Sequence, residues 1–248
     1  MPSRQLTVDI IVDTLKRSSL PTILVEGDDD MMIYRWMAER IGIYNADPLP
    51  CGGRTALLEV YKRRAEFSRL QTAFVADQDM WLFTAIPPEY SDIVWTEGYS
   101  IENDLYAGAN LEVLLDSDEA SKHAQVLKCL IEWFAFEAEE YRRGNEAQVD
   151  VHPNRIVPRD KTSISKQFAN ARGYRQPNRT TIAEIEEQYK LKLRGKMLFQ
   201  LLIRYLSASN RPIKHSTYAL YEIAFKTPDP HVYMERLFKK IEYVLKNP

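Results

Sequence analysis

The chain has 248 residues, 45% of them apolar and 27% charged, with a net charge of −2. Such a composition builds one large or two smaller globular domains with an unaided core, and it excludes disordered and collagenous classes. Its two cysteines, Cys51 and Cys129, make neither a disulfide framework nor a Cys-x-x-Cys zinc site. No apolar run approaches the ~20 residues that span a bilayer, and Met1–Ser19 lacks a signal-peptide core, so the expectation is a cytoplasmic chain without membrane contact.

Residues 7–17 set Ile10, Ile11, Val12 and Leu15 among charged neighbours and predict a short amphipathic helix that Pro21 closes off. Thr22-Ile23-Leu24-Val25 reads as a buried strand. Residues 28–42 read as a helix, with Asp28 or Asp29 as N-cap and Gly42 at its end. Pro48 to Cys51 forms a short extended segment, Gly52-Gly53 a turn, and Arg54 to Phe67 a second helix. Thr72 to Ala76 is a second buried strand and Ile93-Val94-Trp95 a short third one. Strands alternating with helices of this length imply a parallel sheet covered on both faces.

From about residue 108 the periodicity is helical. Residues 118–143 predict one long helix, whose Trp133, Phe134 and Phe136 read as core or a dimer face. Residues 150–178 lack periodicity and contain Pro153, Pro158, Gly173 and Pro177, which predicts a long loop. Helices follow at 180–193, 195–207, 215–226 and 230–246. The expected organisation is an α/β domain over 1–107, then a mainly helical part over 108–248 with a basic loop at about 150–178.

The small net charge conceals an asymmetry. Residues 1–106 carry 10 basic and 17 acidic side chains, residues 107–248 carry 23 and 18, and residues 152–179 carry 7 basic against a single acidic one, Asp160. An acidic half beside a basic segment suggests carboxylate chemistry next to a phosphate-binding surface. Arg155, Arg159, Lys161, Lys166, Arg172, Arg175 and Arg179 are the candidate nucleic-acid contacts, with Phe168 and Tyr174 available to stack on bases. The competing reading is a loop that docks on the protein itself or on a partner. Arg54, after two glycines at a helix start, is a candidate phosphate ligand or an ordinary exposed residue. The histidines are scattered without ligand spacing and read as core or surface residues.

Three acidic clusters fall at strand ends or just after them. Glu26-Gly27-Asp28-Asp29-Asp30 comes directly after the first strand, Asp77-Gln78-Asp79 after the second, and Glu102-Asn103-Asp104 after Tyr99-Ser100-Ile101. Function in parallel α/β sheets gathers outside the carboxyl ends of strands. If 22–25 and 72–76 are neighbours, Glu26 and Asp77 meet there, and in an extended segment Asp77 and Asp79 share a direction. Crowded carboxylates ask for a cation, and oxygen-only ligands suit Mg²⁺ or Mn²⁺, ions that support displacement at phosphorus. Taken singly, Asp28 reads as a helix cap, and Asp77 and Asp79 also suit a turn.

Val25-Glu26-Gly27, then Cys51-Gly52-Gly53-Arg54, then Phe74-Val75-Ala76-Asp77-Gln78-Asp79 resembles the Toprim family. That family pairs a Glu-Gly after its first strand with a later Asp-x-Asp, and it includes topoisomerases, primases, small ribonucleases and the overcoming-lysogenization-defect nucleases. Tyr99-Ser100-Ile101-Glu102-Asn103 resembles a Toprim-like branch of anti-phage nucleases, those of the PARIS type. The resemblance implies a Toprim-like sheet over about residues 20–106 and metal-dependent phosphodiester hydrolysis. Glu26 becomes acid/base or metal ligand, Asp77 and Asp79 the metal pair, Asp30 a further acidic ligand and Glu102 an additional one. Lys196, which opens a helix after Gly195, becomes a counterpart of the lysine that steadies the phosphorane. The defence branch further implies an AriA-like ABC-type ATPase partner that holds the nuclease inactive, host tRNA as target, and a homodimer when active. No topoisomerase tyrosine is identifiable and no zinc module is present, which turns the resemblance toward a nuclease. No Gly-x-x-x-x-Gly-Lys-Ser/Thr loop is present, so no nucleotide cofactor site of that kind is expected.

Two other readings stand beside this one. A degenerate Toprim module would regulate the ATPase without cutting. A haloacid-dehalogenase-type phosphatase would use Asp77 and Asp79, but that motif normally follows the first strand and continues with Thr or Val, whereas Met80-Trp81 follows here.

Overall fold

The computed structural model describes residues 6–28, 31–41, 46–226 and 232–247. The elements run α1 (Val8–Arg17), β1 (Thr22–Val25), α2 (Met31–Ile41), β2 (Asp47–Pro50), α3 (Arg54–Lys62), β3 (Thr72–Ala76), β4 (Val94–Trp95), α4 (Ile101–Gly108) and α5 (Ser117–Arg142). Then come α6 (Pro153–Ile156), α7 (Lys166–Arg172), α8 (Arg179–Glu187), α9 (Tyr189–Lys192), α10 (Gly195–Leu206), α11 (Thr217–Lys226) and α12 (Val232–Lys246). They gather into two compact units. The first holds residues 1–77, 87–96 and 232–248, and the second holds 78–86 and 97–231.

The first unit is a four-stranded, all-parallel sheet in the order β2-β1-β3-β4. The α/β class expected from the alternation of strands and helices is what the chain forms. Leu24 sits opposite both Leu49 and Phe74, and Val75 opposite Val94. Ile23, Leu24, Val25, Ala73, Val75 and Ala76 are buried throughout, which is why β1 and β3 are unbroken apolar runs and not alternating ones. β2 is a true strand despite Pro48 and Pro50, and its place at the edge of the sheet is where proline is tolerated. α1 turns Ile11, Val12 and Leu15 inward and packs on α3 and on the 3₁₀ turn Arg64–Phe67, which finishes the helix expected to run from 54 to 67. α2 is described over Met31–Ile41, and the Met31 N–H donates to the Asp28 carbonyl. Asp29 and Gly42 lie outside the described residues. α12 returns from the far end of the chain and packs on β3, β4 and α2. Met234, Leu237, Phe238, Ile241 and Leu245 form its buried stripe, the spacing of one helical face.

In the second unit α5 is the spine. Asp116 and Glu119 close a capping box at its start, satisfying N–H groups that a helix end leaves open. Trp133 and Phe134 are fully buried and Phe136 nearly so, the core role expected of that stripe. The basic segment folds differently from expectation. It contains the short helices α6 and α7, and it docks on α5. Arg172 forms a bidentate pair with Glu137, both contacts at 2.9 Å, Arg175 pairs with Glu140, and the Asn178 N–H donates to Glu139 at 2.7 Å. Phe168 and Tyr174 lie against Trp133, with ring centroids 4.6 and 6.0 Å away. Both rings are half-buried and pack on that indole. The guanidinium of buried Arg204 donates to the carbonyls of Val157, Pro158, Arg159 and Lys161, which ties the same segment to α10.

His123, on α5, is buried, and desolvation lowers its pKa although Glu112 opposes the shift. The unfolded chain then holds this proton more tightly than the folded one, so its contribution is complete above the usual ~6.5 and declines as pH falls below it. The unfolding free energy from urea titrations between pH 7.5 and 5.5 should fall with pH by up to about 1.4 kcal/mol per pH unit from this group. His123→Leu should flatten that slope.

Candidate functional site

β1 ends at Val25 and β3 at Ala76, and because the two strands are parallel neighbours the next residues, Glu26 and Asp77, emerge side by side. The Asp77 N–H donates to Glu26 Oε1 at 3.0 Å. Arg54, the first residue of α3, sets its Nε 3.4 Å from Glu26 Oε1, donates to the Asp77 carbonyl and lies 5.8 Å from the Trp95 ring centre. Arg54 is thus not an exposed helix residue; it is half-buried and braces the two acidic residues. The turn that delivers it needs glycine. Gly52 and Gly53 have φ of +92° and +122°, values that other residues rarely adopt, and the Gly53 N–H closes onto the Glu26 carbonyl. A Cβ at Gly27 would meet nothing within 4 Å, so there is open space beside Glu26.

Cys51 is buried at the end of β2. Burial, and then the charge of Glu26, push its thiol up to about 12, so it keeps its proton and offers no soft thiolate beside the carboxylates. Native protein at pH 8 should therefore protect Cys51 from Ellman's reagent, and unfolding in guanidinium should expose it. Rapid modification of Cys51 in the native state would contradict this assignment.

In the second unit Asp79 departs from the extended geometry expected of it. Its φ is +47°, among the described residues the only positive value outside glycine. It starts a 3₁₀ turn over Asp79–Phe83, and its N–H donates to the Tyr99 carbonyl at 2.7 Å. The period-two argument for a shared direction with Asp77 therefore fails. Strained aspartates of this kind concentrate at functional sites.

Residues 99–101 are not the end of a strand. Ser100 caps α4, with Asn103 completing the capping box. The spacing of Ser100 and Asn103 was the available sequence signal for that helix start. The helix turns Glu102, Asn103 and Asp104 inward, all buried. Asp104 accepts the N–H groups of Glu97 and Gly98 at 3.0 and 2.7 Å, so its role is to hold a loop. Glu102 is 1% exposed, and its Oε1 has no hydrogen-bond partner among the described residues. Gly195 opens α10 directly against it, and a Cβ there would lie 2.7 Å from Glu102 Cβ. Lys196, the next residue, is half-buried.

Asp30 lies outside the described residues. Of the basic candidates, Arg172 and Arg175 are engaged with α5, whereas Arg155, Arg159, Lys161, Lys166 and Arg179 are exposed, Lys161 3.5 Å from Asp160. The chain matches no model of a known protein family, and no curated protein matches its sequence. Among the described residues no helix is long and apolar enough to cross a membrane, and no three His, Cys, Asp or Glu side chains gather closely enough to hold a metal ion. The donor chemistry nevertheless suits a hard divalent cation. Glu26 and Asp77 offer carboxylate oxygens without imidazole or thiolate.

Proposed function

We propose that this chain is a Toprim-type, divalent-metal-dependent nuclease, an effector of anti-phage defence that cuts tRNA when an ABC-type ATPase partner releases it. The observation that carries the reading is the meeting of Glu26 and Asp77 at the carboxyl ends of adjacent parallel strands, braced by Arg54. Mg²⁺ or Mn²⁺, held by Glu26 and Asp77, would supply an activated water and charge stabilisation at phosphorus. The Glu26 carboxylate takes the proton of the attacking water, and Arg54 keeps that carboxylate oriented. The Asp77 N–H fixes which face of Glu26 is presented. The exposed residues Arg155, Arg159, Lys161, Lys166 and Arg179 grip the RNA backbone, with affinity that falls as salt rises.

The test is incubation of the purified chain, alone and with the ATPase subunit, with total tRNA and with plasmid DNA, in Mn²⁺ or in EDTA. Metal-dependent loss of tRNA supports the reading, and loss of plasmid alone changes the substrate to DNA. One observation favours a second reading. Arg54 already balances the Glu26 charge, as it would in a binding module that regulates the ATPase without cutting. No cleavage in either setting, together with no heat of Mn²⁺ binding by calorimetry, selects that module.

A further inference from the structure

Asn103 is fully buried and uses its whole side-chain amide. Its Oδ1 accepts the N–H and the hydroxyl of Ser100, both at 3.0 Å, and its Nδ2 donates to the carbonyls of Lys190 at 2.8 Å and Leu193 at 2.6 Å. One end of the amide therefore caps α4, and the other holds the chain between α9 and α10. Glycines close around it. A Cβ at Gly98 would lie 2.5 Å from Asn103 Cβ, and one at Gly195 would lie 2.9 Å from Asn103 Oδ1 and 2.7 Å from Ser100 Oγ. The Tyr99 N–H adds a bond to the Leu191 carbonyl at 2.7 Å. Leu193, which the amide grips, comes three residues before Lys196. The start of α10 can therefore shift against Glu102 only if this amide lets go.

From this juxtaposition we infer that Asn103 is a positioning residue, which sets Lys196 at the head of α10 against α4 for work on an anionic phosphate substrate. The inference rests on the nuclease reading for the identity of that substrate, but the mechanical link from Asn103 to Lys196 does not. A fully satisfied buried amide specifies one arrangement, because each lost bond leaves a buried polar group unpaired. Asn103→Asp separates its two duties. The isosteric carboxylate still accepts from Ser100, but it sets an oxygen against the carbonyls of Lys190 and Leu193 where a donor had been.

The experiment uses the full chain and two readouts. In cleavage assays Asn103→Asp should lower kcat roughly 10- to 100-fold with KM within about twofold, the signature of lost alignment. In a Lys196→Ala background the same change should cost nothing further. Brief amine acylation read by mass spectrometry should show Lys196 labelled several-fold faster in Asn103→Asp, with Lys122 and Lys226 unchanged. An unchanged Lys196 labelling rate in the folded variant overturns the inference, and so does an equal loss of kcat in both backgrounds. Faster Lys196 labelling in a chain whose wild type cuts nothing supports the link and refutes the nuclease reading instead. If Asn103→Asp does not fold, Gly195→Ala displaces the same helix start from the other side. It should move both readouts in the same direction, and its failure to do so also overturns the inference.

Discussion

Glu26→Gln should reduce metal-dependent cleavage by about 10²- to 10⁴-fold, the range over which a positioned acid/base group acts, while leaving the first unit folded. The substitution keeps the shape and the capacity to accept the Asp77 N–H, and it removes the negative charge that faces Arg54 and that, on the nuclease reading, holds the cation. Glu26 is only half-buried, so the stability change should stay within about 1 kcal/mol. Glu26→Ala should be as inactive and slightly less stable, because the Asp77 N–H then loses its acceptor. The comparison to make is the single-turnover rate on tRNA in Mn²⁺ beside the far-ultraviolet dichroism of each variant. Cleavage at the wild-type rate by either variant would remove Glu26 from the mechanism.

The second large effect is structural. Arg172→Ala should destabilise the second unit by about 3–5 kcal/mol, because it strands a buried carboxylate. Glu137 is fully buried and accepts from two nitrogens of Arg172 and from the Gln148 N–H. Without the guanidinium a single N–H remains to satisfy a charged group away from water. The corresponding midpoint should fall by roughly 10 °C. Arg172→Ala combined with Glu137→Leu should recover most of the loss, since replacing both partners by apolar groups is close to neutral. Arg159→Ala and Lys166→Ala, both at exposed positions, should leave stability within about 0.5 kcal/mol. Thermal melts of the four proteins decide between a docked arginine and an RNA-gripping one.

The basic segment shows where sequence stops being legible. An arginine offers the same fork to a phosphate as to a carboxylate, and the partner that engages Arg172 lies 35 residues earlier on α5. Nothing local to 150–178 encodes that pairing, so seven basic residues looked alike until α5 was seen to claim two of them. β1 and β3 were legible because their burial on both faces leaves continuous apolar runs. β2 was obscured by two prolines that only an edge strand accepts. The pairing of Glu26 with Asp77 could be read from strand ends, since parallel neighbours bring their carboxyl ends together. Asp79 and Glu102 could not be placed, the first because a left-handed backbone cancels strand alternation, the second because a buried carboxylate looks like surface in a charge count. Asn103 was passed over because a neutral amide carries no chemical signature until its four bonds are seen.

The return of α12 to β3 and β4 sets the order in which this protein can mature on the ribosome. Synthesis runs from the amino end, so β1 to β4 emerge early, while Met234, Leu237, Phe238, Ile241 and Leu245 follow only after the entire second unit. Until then the nascent sheet displays the apolar surface that α12 will cover, a state that attracts chaperones. Closing such a long loop also slows folding. The strands that lead to Glu26 and Asp77 therefore complete their packing only after residues 232–246 have been made. On the nuclease reading proposed above, a chain interrupted before residue 232 would lack the helix that completes the packing of the sheet bearing Glu26 and Asp77.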